Sequence, residues 1–413
     1  MIKSFFYSAT SRDFTKLLSA SVFSTIFNFL LIVILTRNMS TSEFGLIVTA
    51  LTFTQLLSDF FELGLGSALL NSASGAGDVR ALYIKASLML RLAVSVVVAG
   101  LAVILAGPIS RQFFHSMAII PLIKISALGV LLGQIIAWSQ TVYQTQMKFG
   151  KAALISSMSN PLRVLAILVL MVMGKFSMAN IYWVLQLVLF LVMIFAFVGI
   201  CQNLFSVRFE KEKAFKMLKF ALPVGAAFAL AALYTKLDQM MVLRLAGQDE
   251  AGIYGLASRL MMPFILVTSS LSLVLVPRFA SLRGSEFAAY FKKSLGLIGG
   301  IGTVMLLAIP LSPWLLPLIF GKVYVGAVVP FQVLTLGVVL FLISSPISSA
   351  IIYHFKKPAF SLYLSAGSLI LVWLLLNWLI PVYKGNGAAA AVVGVYLVQL
   401  LVSAFYFLKL SHR

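Results

Sequence analysis

Apolar residues run through this chain in blocks of about twenty, broken by short polar stretches. A block of that length spans the ~30 Å hydrocarbon core of a bilayer when it is helical, so each block predicts a transmembrane helix. Twelve are expected, over 14–36, 44–66, 86–107, 118–141, 152–173, 179–200, 219–241, 253–276, 294–316, 327–350, 359–380 and 387–408. The connections between them are short and leave no room for a soluble domain. The opening MIKSFFYSATSRDFTK lacks a short apolar core followed by a small-residue cleavage site, so the first span is expected to be retained.

Composition agrees with the pattern. Hydrophobic residues fill 61% of 413 positions and charged residues only 10%, with a mean hydropathy of +1.06; soluble domains are about a quarter charged. The expected fold is an all-α polytopic membrane protein. A single cysteine, Cys201, excludes an internal disulfide and a thiolate metal cluster, and His115, His354 and His412 have no ligand spacing. The net charge of +20 would suit nucleic acid, but the basic residues fall in small clusters between the spans rather than on one patch. Neither a nucleic-acid partner nor a metal is expected.

The basic clusters set the topology. With both termini cytoplasmic, the inner segments collect most cations, from Lys3, Arg12 and Lys16 through Arg80, Lys85, Arg91, Lys148 and Lys151 to Arg278, Arg283, Lys356, Lys357, Lys409 and Arg413. The outer loops carry one each: Arg37, Arg111, Lys175, Arg244, Lys322 and Lys384. Such alternation is what the positive-inside rule predicts for this span count. The most charged connector, VRFEKEKAFKMLK, lies mid-chain and is read as a cytoplasmic linker at 207–218 between lobes of six spans at 1–206 and 219–413; a lipid-surface amphipathic helix is the alternative for it. At an offset of 207, Arg37, Glu43, Gly45 and Ala50 fall on Arg244, Glu250, Gly252 and Ala257. An offset of six spans preserves orientation and implies a parallel repeat, the plan of an alternating-access transporter with a cleft between two lobes.

Seven charged residues fall inside spans and are left over: Asp59, Glu62, Lys124, Arg163, Lys236, Asp238 and Arg259. Facing lipid, they would cost on the order of 20 kcal/mol together, so a wet lumen or mutual pairing is expected. Lys236 with Asp238 reads first as a structural pair near a span end. Asp59 and Glu62, three apart on one helix face, are balanced between a bond to Arg80, Lys85 or Arg91 and a gate or proton relay. Arg163 in MSNPLRV and Arg259 in SRLMMPF each lie by a proline that frees a helical hydrogen bond, which favours a hydrated site.

Residues 218–282, LKFALPVGAAFALAALYTKLDQMMVLRLAGQDEAGIYGLASRLMMPFILVTSSLSLVLVPRFASL, resemble the central signature of the polysaccharide transporters. SEFGLIVTALTFTQLLSDFFELGLGSALL and FGKVYVGAVVPFQVLTLG are similar to the same group, so the resemblance covers nearly the whole chain. It points to Wzx-type flippases of the multidrug, oligosaccharidyl-lipid and polysaccharide exporter superfamily, with a MATE-like fold. The resemblance implies an undecaprenyl-diphosphate-linked oligosaccharide as substrate, in O-antigen, capsule or exopolysaccharide synthesis at the bacterial inner membrane. Glu62 occupies the family's acid before Leu-Gly-Leu, and Asp59 is an addition to that pattern. The expected substrate-binding cations are Arg163, Arg259, Lys124 and Lys236; the expected gating or proton-coupling groups are Glu62, Asp59 and Asp238. Arg suits a diphosphate because its planar fork donates two bonds to adjacent oxygens. No cofactor is expected, and the energy source is left between a proton and a sodium gradient. Membrane lipid, a polysaccharide polymerase and chain-length proteins complete the expected partners.

The main rival is a cation-coupled multidrug antiporter of the same superfamily. It would be expected to carry a carboxylate in the first span, and 14–36 has none. A flippase for peptidoglycan precursor would be expected to have fourteen spans. A membrane polymerase or ligase needs a sizeable outer loop bearing catalytic groups, and the outer loops here are short, so no enzyme is expected.

Overall fold

The computed structural model describes residues 9–75, 77–201, 204, 206–282 and 284–411. Lys3, Arg283, His412 and Arg413 lie outside them, as does the opening of the chain to residue 8. Among the described residues the structure is helical throughout, with no strand. Its long helices are α1 (Ala9–Asn38), α2 (Thr41–Phe60), α3 (Leu65–Ala73), α4 (Arg80–Ile104), α5 (Ile120–Thr145), α6 (Phe149–Val172) and α7 (Met178–Cys201). They continue with α8 (Lys211–Ala246), α9 (Gln248–Arg259), α10 (Met262–Ser281), α11 (Gly284–Leu306), α12 (Ala308–Phe320), α13 (Val328–Ser349) and α14 (Ala359–Ser411). Large apolar side chains lie on the outside, Val172 90% exposed and Trp314 77%. That placement suits lipid as solvent and would be untenable in water.

Three spans are broken and one helix is two spans. α2 and α3 make one span bent by 44°, because Leu63 and Gly64 both take left-handed backbone angles. Leu260 and Met261 separate α9 from α10, and Leu307 separates α11 from α12. α14 has 53 residues, about 80 Å if straight and far longer than a bilayer is thick. Lys384, with φ 52° and ψ −129°, reverses it. The reversal is read from its contacts: Gln399 donates to Ser368 at 2.7 Å and the Phe360 and Tyr406 rings stack at 5.2 Å. With its two arms counted separately, the described residues make the twelve passes expected.

Packing divides the chain into two compact units, Met1–Ile34 with Ala50–Ala232, and Leu35–Thr49 with Leu233–Arg413. The core of the first is built on Leu65, Leu69, Tyr83, Ile84 and Trp138 together with Met217 and Ala221 of α8. The second buries Leu275, Phe279, Ile298 and Leu342.

In the second unit the start of α2 is set by local chemistry. Ser40 and Glu43 form a reciprocal cap: Glu43 Oε2 accepts from the Ser40 amide at 3.2 Å, and Ser40 Oγ accepts from the Glu43 amide at 3.2 Å. Just beyond, α2 crosses α9 at Gly45 and Gly252. A methyl at Gly45 would run into the Gln248 carbonyl and the Gly252 amide; one at Gly252 would run into the Thr41 carbonyl and the Gly45 amide. Thr41 and Gln248 are themselves 207 apart, so the crossing is self-complementary under the sequence repeat.

Candidate functional site

In the first unit the break after Phe60 exposes the amides of α3, which have no intrahelical partner. Glu62 takes two of them. Its Oε2 accepts from the Gly64 amide at 2.9 Å and its Oε1 from the Gly66 amide at 2.6 Å. The same Oε1 meets Arg91 Nη2 at 2.7 Å, Arg91 Nη1 donates to Gln134 Oε1 at 2.9 Å, and Gln134 Nε2 donates to the Ser58 carbonyl at 2.7 Å. The network ties the second, third and fourth spans together inside one unit.

Two expectations change here. Asp59 and Glu62 do not share a helix face, because α2 ends at Phe60 and Glu62 lies in the turn that follows; Asp59, in the last turn of α2, is half-buried. Arg91, expected on a cytoplasmic flank, is instead buried at 3% exposure. Its Nε makes no hydrogen bond among the described residues. Its position inside the apolar block 86–107 is the feature of the sequence that marks it.

Arg163 lies on α6 two residues after Pro161, which cannot donate to the residue four before it. Its Nη1 reaches Asn160 Oδ1 at 3.4 Å, a long and weak bond, and its buried Nε finds no partner among the described residues. Asn160 in turn donates to the Ser24 carbonyl and hydroxyl at 3.1 and 2.9 Å. Lys124 is exposed near the start of α5.

In the second unit Arg259 is the last residue of α9. The helix stops there because Pro263, at the start of α10, has no amide to give the Arg259 carbonyl. Arg259 is half-buried, and its Nη2 lies 3.5 Å from the Val48 carbonyl. Its neighbours Ser258 and Met261 line a cavity of about 110 Å³ with Asp238, Tyr234, Thr235 and Tyr396. Asp238 accepts a hydrogen bond from the Tyr254 hydroxyl. The break at Arg259 and Asp238 therefore border one partly open cavity, large enough for several waters. Lys236, two residues before Asp238, is half-buried on the same helix.

The profile of the polysaccharide biosynthesis protein family matches residues 11–283. The chain belongs to this family. Its fold is similar to that of the lipid II flippase MurJ in an inward closed conformation, with a TM-score of 0.80, 18% identity and coverage of 96% of this chain and 89% of that one. An inward-facing MATE multidrug transporter of the MOP superfamily follows at 0.77, with 13% identity and coverage of 97% and 98%. A MOP transporter from Pyrococcus furiosus, described as having a binding pocket of reverse polarity, gives 0.66 at 13% identity, covering 97% of this chain and 95% of that one. No curated protein matches the sequence. The chain is a multi-pass membrane protein with the fold shared by MurJ and the MATE transporters of the MOP superfamily.

Proposed function

We propose that the protein flips an undecaprenyl-diphosphate-linked oligosaccharide from the cytoplasmic to the outer leaflet of a bacterial inner membrane by alternating access, for O-antigen, capsule or exopolysaccharide synthesis. Both termini are cytoplasmic in this reading, supported by the distribution of lysine and arginine between the loops. The observation that carries it is a guanidinium group inside a span, Arg163 beside Pro161, whose buried Nε has no hydrogen-bond partner among the described residues; Arg259, beside Pro263, sits at a helix break next to a cavity. A buried guanidinium with a donor left over has it to offer, and an anionic diphosphate is a ligand that suits it. Lys236 and Lys124 are further cations along the head group's route. Asp238, facing its cavity, is the coupling carboxylate for a proton or sodium ion, while Glu62 and Asp59 act at a gate. A polysaccharide polymerase and chain-length proteins are the expected downstream partners.

Deleting the gene should make lipid-linked repeat units accumulate while surface polysaccharide disappears. Complementation separates binding from packing at Arg259. Arg259→Lys should keep partial export because charge survives without the fork, Arg259→Ala should lose most of it, and Arg259→Glu should abolish it. Full export by Arg259→Glu at normal membrane abundance would remove this residue from the mechanism.

A further inference from the structure

The two arms of α14 do not close against each other along their whole length. Between them lies a groove of about 320 Å³ lined by Phe360, Tyr363, Gly367, Leu371, Val398 and Val402. Gly367 has no heavy atom within 4 Å of where a methyl would stand, and the rim is open, with Tyr363 73% exposed. The polar groups beneath it are already paired: Gln399 Nε2 donates to Ser368 Oγ, and both residues are buried. The groove thus offers apolar surface and no spare hydrogen bond.

Its length and its charged end say what fits it. From Phe360 to Leu371 the helix rises about 16 Å, close to the ~15 Å of hydrocarbon in one leaflet. Lys356 and Lys357 are exposed just before the first arm. The stack of Phe360 on Tyr406 puts the end of the second arm beside the start of the first, so exposed Lys409, one turn beyond Tyr406, lies at the same end. A leaflet-long apolar slot with three cations at one mouth matches a lipid with a long tail and a compact, highly charged phosphate group.

Building on the flippase reading, we propose that this groove seats the polyisoprenyl tail of a diphosphate lipid, whose phosphates meet Lys356, Lys357 and Lys409. It is a tail site on the outer wall of the second unit. Gly367 is what keeps it open, and an indole there would fill it.

The full-length chain in nanodiscs of phosphatidylethanolamine and phosphatidylglycerol, loaded with undecaprenyl diphosphate, tests this by native mass spectrometry. Gly367→Trp should lower retention of undecaprenyl diphosphate by about tenfold, the loss of a few buried methylenes. Replacing Lys356, Lys357 and Lys409 together by Gln leaves the groove intact and should lower retention comparably, which guards against a folding defect in the tryptophan variant. A benzophenone amino acid at Tyr363 should cross-link undecaprenyl diphosphate, and excess phosphatidylglycerol should not compete. Cross-linking to phosphatidylglycerol that undecaprenyl diphosphate fails to displace would show an ordinary annular lipid and overturn the proposal. Unchanged retention in both groove variants overturns the groove alone; no retention by the wild type overturns the flippase reading with it.

Discussion

Glu62 and Asp238 are both carboxylates inside spans, yet they live in opposite surroundings. Glu62 accepts from two backbone amides and from Arg91, in a network that continues to Gln134. Asp238 accepts from the Tyr254 hydroxyl and borders a cavity. The first is taken up by the backbone: it caps the helix that resumes after the break. The second retains space for a small cation or water. Burial of a charge inside a span is therefore not one kind of observation. The bonds that surround the group decide whether it holds the fold or is free to exchange a ligand.

The sharpest way to break this contrast is to remove Arg91. Arg91→Ala leaves the half-buried Glu62 without its cation and empties the buried space that the guanidinium fills, and should cost about 3–5 kcal/mol, read as a large fall in thermal midpoint in detergent; a fall no greater than that of an exposed lysine variant would dissolve the contrast. Glu62→Gln should come next. It keeps an acceptor but loses the charge-assisted bonds, for about 1.5–3 kcal/mol. Paired with Asp59→Asn it also tests the gate, since normal surface glycan in the double variant would end that role. Asp238→Asn should be the mildest for stability, within about 1 kcal/mol, because an amide oxygen accepts the Tyr254 hydroxyl as well. Its effect should fall on transport, with export insensitive to collapse of the ion gradient; a strong loss of thermal midpoint with gradient-dependent export intact would reverse the assignment.

Much of this was legible in the residues. Span number followed from block length, and the twelfth pass was correctly separated from the eleventh although one helix of 53 residues carries both. The offset of 207 found Gly45 and Gly252, which meet in space. What escaped was pairing. Hydropathy averages over about twenty residues, so an arginine near the start of a span reads as its flank, and Arg91 became visible only when its bonds to Glu62 and Gln134 did. The turn at 61–64 was likewise hidden, since Leu63 and Gly64 look like ordinary span residues until their left-handed angles are seen.

The crossing of α2 and α9 has a consequence for ancestry. Residue 41 meets residue 252 and residue 45 meets residue 248, each pair being the other shifted by 207. In an assembly of identical chains, a contact in which i meets j and j meets i marks a two-fold axis. Here both partners lie on one polypeptide. The crossing has the form expected of two copies of one segment that met as a symmetric pair, and a side chain at either glycine would strike the backbone of the helix opposite.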